Sequence, residues 1–484
     1  MTTIKLDPGA ALLLDALHGA GHAAYAVGGC VRDSLLGLAP HDWDLCTSAR
    51  PEQVMELFGE EKCIPTGLQH GTVTVKQGGR LYETTTFRTE GAYSDGRHPD
   101  AVCFVPDVRE DLARRDFTIN AMAYSAEEGL IDPFGGRDDL AAHLVRAVGE
   151  PERRFEEDAL RILRLYRFAA RFGFAIDPAT GAAARALGPH LDCVSAERIQ
   201  EELLKLLAAP RPGSYLEPAV LAVVLPELEP EKQPEGFAEL CRTIDRIEPT
   251  AENVPARLAA LLWPLGEAGA RKALRKLKCS NALTDEVTAL EREAGGGAGS
   301  FLLGHEFELR HPADALCLER HSHPAGRCPN SNSLFPPQAA VVAVAGHSIA
   351  RPIACGNRVP PQRTVLEETP GTPNTTLTVQ AKRLLGRYEL PTIKRLTALC
   401  SARHPEQAGA FAALRAEAEQ LTAENACCRV SQLAVNGRDL MAAGVRPGPG
   451  LRQVLNALLE AVITGQTPNE KDALLAAAAQ FSAS

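Results

Sequence analysis

The sequence predicts an α+β protein, a small mixed sheet with helices at the N-terminus followed by an all-α neck, body and tail. Three observations carry that expectation. Up to about residue 147, short alternating or β-branched stretches are interleaved with helical ones. From about residue 148 onward apolar residues recur at three- and four-residue steps, the helical period. Between about His305 and Thr375 neither period survives. A chain of 484 residues is too long for one ordinary domain. The expected units are 1–147 (head), 148–210 (helical neck), 211–304 (helical body), 305–375 (an irregular or disordered insertion) and 376–484 (helical body and tail).

In the head, Gly9 to Leu17 reads as a helix and Ala24 to Val27 as a short buried strand running into Gly28-Gly29. A helix from Cys30 to Leu36 and a strand around Trp43 to Cys46 follow. Pro51 opens the next helix, at the position where a missing N–H costs nothing. Thr72 to Lys76 alternates and is β-branched, Gly78-Gly79 turns the chain, and Leu81 to Phe87 alternates again, which together make a hairpin. Beyond the head, Phe155 to Phe172, Ala196 to Ala208, Val254 to Leu277, Ala410 to Thr422 and Gly450 to Thr464 carry the helical period. Residues 305 to 375 gather prolines, histidines, asparagines and serines, and proline at that density forbids regular helix. The same bias fits a genuine insertion or a stretch read out of frame from a GC-rich gene.

Composition narrows the function classes. A net charge of -10 excludes a uniformly basic nucleic-acid binder, so any RNA contact must rest on local clusters. Arg114-Arg115, Arg153-Arg154, the series Arg161, Arg164, Arg167 and Arg171, the run from Arg271 to Lys278, and Lys382-Arg383 are such clusters. Taken singly, each reads as a solvated helix face. The 13 cysteines are scattered and form no CxxC pair, which fits free thiols in a reducing cytoplasm. The start lacks the apolar stretch of a signal peptide, and runs such as Ala339 to Ala345 are too short to span a bilayer. The expectation is a soluble, cytoplasmic protein that does not engage a membrane; its oligomeric state is not legible.

The sharpest chemical feature is Gly28-Gly29-Cys30-Val31-Arg32-Asp33 followed by Asp42-Trp43-Asp44. On a strand Asp42 and Asp44 point the same way while Trp43 points into the core. Two adjacent carboxylates repel unless a cation lies between them. Hard oxygen ligands without a cysteine pattern suit Mg²⁺, and Glu83 on the hairpin is the candidate third carboxylate. The diglycine lets backbone approach a phosphate closely, the following helix aims N–H groups at the anion, and Arg32 adds charge. Either motif alone is weak; their combination with strand and helix in the expected order is much stronger.

Gly28 to Asp44 resembles the nucleotidyltransferase signature of the polymerase-β superfamily, in the form shared by bacterial CCA-adding enzymes and poly(A) polymerases. Further stretches match in order: Ile64-Pro65-Thr66-Gly67, His70 to Val75, Glu83 to Arg88, Arg114 to Ala121, Ile131 to Phe134, Glu157 to Arg161 and Ser195 to Ile199. The resemblance runs through about residues 20 to 300, and Val435 to Leu440 with Gly448 to Leu455 resembles the family's tail. It implies a polymerase-β-like head and template-independent addition of CCA to the 3′ end of immature tRNA from CTP and ATP, with release of pyrophosphate. By position it implies that Asp42 and Asp44 bind metal, that Gly29 and Arg32 hold the triphosphate, and that Arg115 and Asp116 contact the nucleotide and check its ribose. Asp158, Arg161, Arg164 and Arg167 match the neck helix that receives the base.

The chemistry of the bases supports the last assignment. Asp158 and Arg161 are about one helical turn apart, on neighbouring parts of one face. A carboxylate accepts from the exocyclic amine of cytosine or adenine, and a guanidinium donates to the ring acceptors beside it. Uracil and guanine present a carbonyl there. The structural alternative is an amphipathic helix laced by ion pairs.

The stretch from Gly91 to Val105 reads as mobile; in CCA-adding enzymes the corresponding loop helps switch from C to A addition, and a plain connector is the alternative. A poly(A) polymerase, a CC-only or A-only activity, and a catalytically decayed tRNA-binding protein stay open beside CCA addition. His41-Asp42 overlaps the DxD motif and is no sign of an HD phosphohydrolase domain. Cys317, His321, His323 and Cys328 have loosely zinc-like spacing, but without a flanking hairpin or helix pattern they are not taken as ligands.

Overall fold

A computed structural model describes residues 3–91, 102–297 and 375–481. Ala24–Val27 (β1) is an interior strand of a seven-stranded sheet and is buried on both faces: Ala24 and Ala26 pack on one side, Tyr25 and Val27 on the other. Leu45–Thr47 (β2), Cys63–Gly67 (β3), Thr72–Gln77 (β4), Arg80–Thr86 (β5), Ala123–Ser125 and Gly129–Ile131 complete it. The order is β3, β4, β5, β2, β1 and then the last two. All neighbours are antiparallel except β2 and β5, which run parallel with Leu45 opposite Thr84. Carried back one residue, that register sets Asp44 level with Glu83.

Pro8–Gly19 (α1) is capped by the Asp7 carboxylate, which accepts from the N–H of Gly9 at 3.0 Å and of Ala10 at 3.3 Å. The same carboxylate accepts from the Tyr82 hydroxyl, so one cap also ties the first helix to the hairpin. The predicted hairpin forms, and Pro51 stands at the start of Pro51–Phe58. The strand expected at Trp43 to Cys46 begins two residues later, so Asp42 and Asp44 lie on the extended segment entering β2.

Two predicted helices are broken. Phe155 to Phe172 divides into Pro151–Glu157 (the approach helix) and Leu160–Phe172 (the neck helix), because Asp158 is extended at φ -148 and ψ 103 and accepts from the N–H of Leu160. Val254 to Leu277 divides into Val254–Leu262 and Gly266–Lys276 around a 3-10 turn at Trp263–Leu265, where Pro264 lacks a donor and Gly266 adopts φ 66. Ser195 precedes Ala196–Leu207 as predicted. Of the stretch Gly91 to Val105, residues 92–101 lie outside the described residues. Its far end is not loop: Val102–Phe104 pairs antiparallel with Arg88–Glu90. Residues 298–374 also lie outside the described residues, and with them nearly all of the predicted insertion and the four Cys and His positions of zinc-like spacing. Helix resumes at Thr375–Arg387.

One core runs unbroken from Ile4 through one face of the sheet, the neck helix and the helical body to Cys428. A smaller cluster, including Phe87, Val108 and Leu112, covers the other face of the sheet. Leu433 to Ala478 form a third core inside the last helices.

Within the body, Arg257 is fully buried. Its guanidinium donates to the carbonyls of Leu207 (2.7 Å), Ala209 (2.5 Å), Pro210 (3.5 Å) and Ile247 (2.5 and 3.1 Å). It thereby satisfies the C-terminal end of Ala196–Leu207 and the end of Pro234–Arg246 at once. Arg257→Met keeps the volume and removes every donor. Orphaned buried carbonyls each cost on the order of 1–3 kcal/mol, so a loss of about 3 kcal/mol or more is expected in urea unfolding. A variant within about 0.5 kcal/mol of wild type would show that water replaces the guanidinium.

Candidate active site at the junction of sheet and neck

β1 ends at Gly28, whose φ of 76 turns the chain sharply into Gly29–Leu35. A side chain at Gly28 would be strained by that backbone and would stand 2.8 Å from Nη1 of Arg115. At Gly29 a Cβ would meet nothing nearer than Nη2 of Arg32 at 3.5 Å. Packing therefore does not demand a glycine there, and the bare backbone leaves room for an approaching group.

Asp44 sits half-buried beside this turn. Its carboxyl is pushed up to about 6, by burial first and then by the charges of Glu83 and Asp42, with Arg115 opposing. The register accounts for Glu83; Asp42, two residues before, is 82% exposed and hydrogen-bonds His41 at 2.9 Å. Trp43 between them is buried, as the alternation required. Among the described residues no three His, Cys, Asp or Glu side chains converge closely enough to hold a metal by themselves. The donor set nonetheless fits a hard divalent cation, because its carboxylates carry mutual repulsion that such an ion relieves. Mg²⁺ in particular commonly takes only one or two carboxylates and completes its shell with substrate phosphates and water.

Arg115 and Arg32, beside Gly28 and Gly29, form a cationic wall along the turn. Arg32 is buried; its Nε donates to Asp33 Oδ1 at 2.7 Å, its Nη2 lies 2.7 Å from the same oxygen as an ion pair, and its Nη1 donates to Asn120 Oδ1. The rings of Phe168 and Phe172 lie 5.3 and 4.8 Å from its guanidinium. Arg115 reaches Asp111 at 3.4 Å, and its Nε is buried without a partner. Asp111, wholly buried, also accepts from Arg114 at 2.8 and 3.0 Å and from the N–H of Arg88 at 3.3 Å.

Asp116 is buried with both oxygens engaged. One accepts from the N–H of Phe117 (2.8 Å) and from Asn120 (3.0 Å), the other from Nε and Nη2 of Arg164 (2.9 and 2.6 Å). Burial alone would raise its pKa, but Arg164, Asn120 and Arg161 hold it well below the usual carboxylate range. Arg164 also lies 3.9 Å from Glu202, which pairs with Arg167, and both guanidinium groups stack on Phe168 at 5.3 and 4.1 Å.

Asp158 and Arg161 stay one turn apart, the Asp158 carbonyl accepting from the N–H of Arg161 at 3.0 Å, but their side chains take different partners. The Asp158 carboxylate takes Arg198 at 2.8 Å and the N–H of Leu160 at 3.1 Å. Arg161 is buried and donates to Glu157 (2.8 Å), the Arg154 carbonyl (3.2 Å) and the Arg114 carbonyl (3.1 Å). The two share the neighbourhood of the neck but not one helix face. Sequence reasoning missed Asp111, Asn120, Arg198 and Glu202. Only Asp111 carried a local signal, its spacing of three and four residues to Arg114 and Arg115; the others reach across elements.

The poly(A) polymerase head domain model matches residues 24–146. The probable RNA and SrmB-binding site of polymerase A matches 173–231, and tRNA nucleotidyltransferase domain 2 matches 382–478. The chain is 34% identical to the CCA-adding enzyme of Limosilactobacillus fermentum over 97% of its own length and 96% of that protein's. It is 42% identical to that of Geobacillus stearothermophilus over 56% of its length and 66% of that protein's. The crystal structure of Bacillus stearothermophilus CCA-adding enzyme in complex with CTP superposes with a TM-score of 0.68 at 30% identity, covering 98% of each chain.

Because the folded-state pKa of Asp116 is depressed, its pairing stabilises the fold above the ordinary carboxylate pKa and is lost as pH falls. Asp116→Asn should therefore lower stability at pH 7 by about 2 kcal/mol. The gap to wild type should narrow as pH drops below about 4. A gap constant from pH 7 to pH 3 in denaturant titrations would mean that the carboxylate charge is not what Arg164 binds.

Proposed function

The chain belongs to the CCA-adding enzymes, and from that premise we infer how its residues add cytidine and adenosine to the 3′ end of tRNA lacking CCA. CTP and ATP are the donors, pyrophosphate leaves, and no nucleic-acid template is used. Members of this family depend on a divalent cation; in this chain Mg²⁺ is the reading that the all-oxygen donor set favours.

Asp42 and Asp44 would hold the cation at the entry to β2, with Glu83 as the third carboxylate beside them. Bound there, the cation supplies activation of the tRNA 3′-hydroxyl and charge stabilisation of the leaving pyrophosphate. The observation that supports this most is the crowding at Asp44, where burial, Glu83 and Asp42 all disfavour the charge that it must carry. Gly29 and Arg32 face the triphosphate: Arg32 spends two of its five guanidinium donors on Asp33 and Asn120, and the others remain for phosphate oxygens. Arg115, beside Gly28, is the natural neighbour of the sugar. Asp116 could meet a ribose hydroxyl only if Arg164 turned aside, because its four acceptor directions are filled.

For the base, Asp158 supplies the carboxylate that accepts an exocyclic amine, oriented by Arg198. Arg161 retains donors beyond its three bonds to Glu157, Arg154 and Arg114. Arg164 and Arg167 line the same helix. The helical body and tail would grip tRNA by shape and phosphate contacts. Among the described residues no helix is long and apolar enough to cross a membrane, and ten cysteines are free thiols. Both suit the cytoplasm, where tRNA is matured.

Asp42→Ala and Asp44→Ala should each remove nucleotide addition to a CCA-less tRNA transcript at any Mg²⁺ concentration without loss of fold. Both retaining more than a few per cent of wild-type turnover would overturn the metal assignment. Asp158→Ala should lose discrimination against UTP and GTP more than it loses triphosphate affinity, a bidentate base contact being worth on the order of 1–3 kcal/mol. An unaltered preference in competition assays would refute the role of that carboxylate.

A further inference from the structure

We propose that Asn120 is a positioning residue for the incoming nucleotide, a bridge that fixes Arg32, which faces the phosphates, relative to Asp116, which meets the ribose once Arg164 turns aside, so that phosphates and sugar are gripped in one register. The proposal rests on the reading above in which Arg32 faces the triphosphate.

Asn120 ends the short 3-10 turn Thr118–Asn120 and is buried. Its Oδ1 accepts from Nη1 of Arg32, and its Nδ2 donates to Oδ1 of Asp116 at 3.0 Å. The orientation of the amide is chemically determined. A guanidinium has no acceptor and an ionised carboxylate has no donor, so a flipped amide would lose both bonds. No other side chain touches both groups by a hydrogen bond among the described residues.

The two ends of the bridge are otherwise held by different elements. Arg32 belongs to the helix after the Gly28 turn and takes Asp33 and the rings of Phe168 and Phe172. Asp116 is fastened to the neck through Arg164. Without Asn120 the Nη1 end of Arg32 has no acceptor among the described residues, and the guanidinium can turn about its bond to Asp33 within the aromatic clamp. The donors free for phosphate would then no longer point one way. On the other side Asp116 would lose one of the four contacts that fix its plane. A neutral amide performs this task where a charged residue cannot. Aspartate would place a second carboxylate against Asp116 and neutralise the cation meant for the triphosphate; a basic residue would repel Arg32.

Steady-state kinetics of CCA addition by full-length Asn120→Ala and Asn120→Asp, with CTP and with 2′-deoxy-CTP, test the bridge. Losing one charge-assisted hydrogen bond on Arg32 should raise KM for CTP about tenfold with a smaller change in kcat. The preference for the ribonucleotide should fall with it. Asn120→Asp, of the same shape, should raise KM at least as much; it is the variant to read if Asn120→Ala does not fold. A KM unchanged in a folded variant, with any loss confined to kcat or to thermal stability, overturns the proposal. So does a raised KM with ribose preference intact. A wild-type enzyme that leaves a CCA-less transcript unextended would instead overturn the functional reading itself, before any variant is compared.

Discussion

Buried guanidinium groups join the sheet to the helices, and the shape of the site follows from how their charge is balanced. Arg32, Arg154 and Arg161 are all buried, a position that arginine tolerates only when its charge and donors are matched. Here the match crosses the seam. Arg161 of the neck helix donates to the Arg114 carbonyl of the head, Arg154 to the Ala113 carbonyl, and Arg164 closes on Asp116. Separating the sheet from the neck would leave charges unpaired in a low dielectric, so the two behave as one unit with a common core.

The opposite condition holds a few residues away. At the end of β1 and the entry to β2, carboxylates gather with too little countercharge, and burial first, then Glu83 and Asp42, hold Asp44 up near 6. An anionic corner and a cationic wall therefore meet at the Gly28 turn. A metal-bound triphosphate is complementary to that pattern, because its cation answers the corner and its oxygens answer the wall. The same helical period that fills the core also sets Phe168 and Phe172 beneath the guanidinium groups, so packing and charge placement are one event.

Base choice without a template asks for a rigid reader, and on the reading proposed above the break at Asp158 would supply one. An unbroken helix would have set Asp158 and Arg161 side by side, where they would neutralise each other. The extended residue instead hands Asp158 to Arg198 and Arg161 to Glu157, so that each is oriented by a third group.

The sequence by itself determined four of the seven strands of the head's sheet and the helical character of the rest, but not Cys63–Gly67, Ala123–Ser125 or Gly129–Ile131, whose short stretches carry no clear alternation. Strand alternation buries Trp43 between two aspartates, and a proline can open a helix at residue 51 whatever surrounds it; these are local rules with local evidence. The family resemblance rested on the same contiguous stretches. Tertiary structure decided what local rules cannot reach. The parallel pairing of β2 with β5 set Glu83 level with Asp44 across nearly forty residues of chain. The break at Asp158 came from its side chain accepting the N–H of Leu160, an alternative to helix that periodicity does not register. Asn120, Arg198 and Glu202 acquire their roles from partners 88, 40 and 35 residues away. A hydrogen bond between distant residues depends on where folding puts both ends, and only the folded chain holds that information.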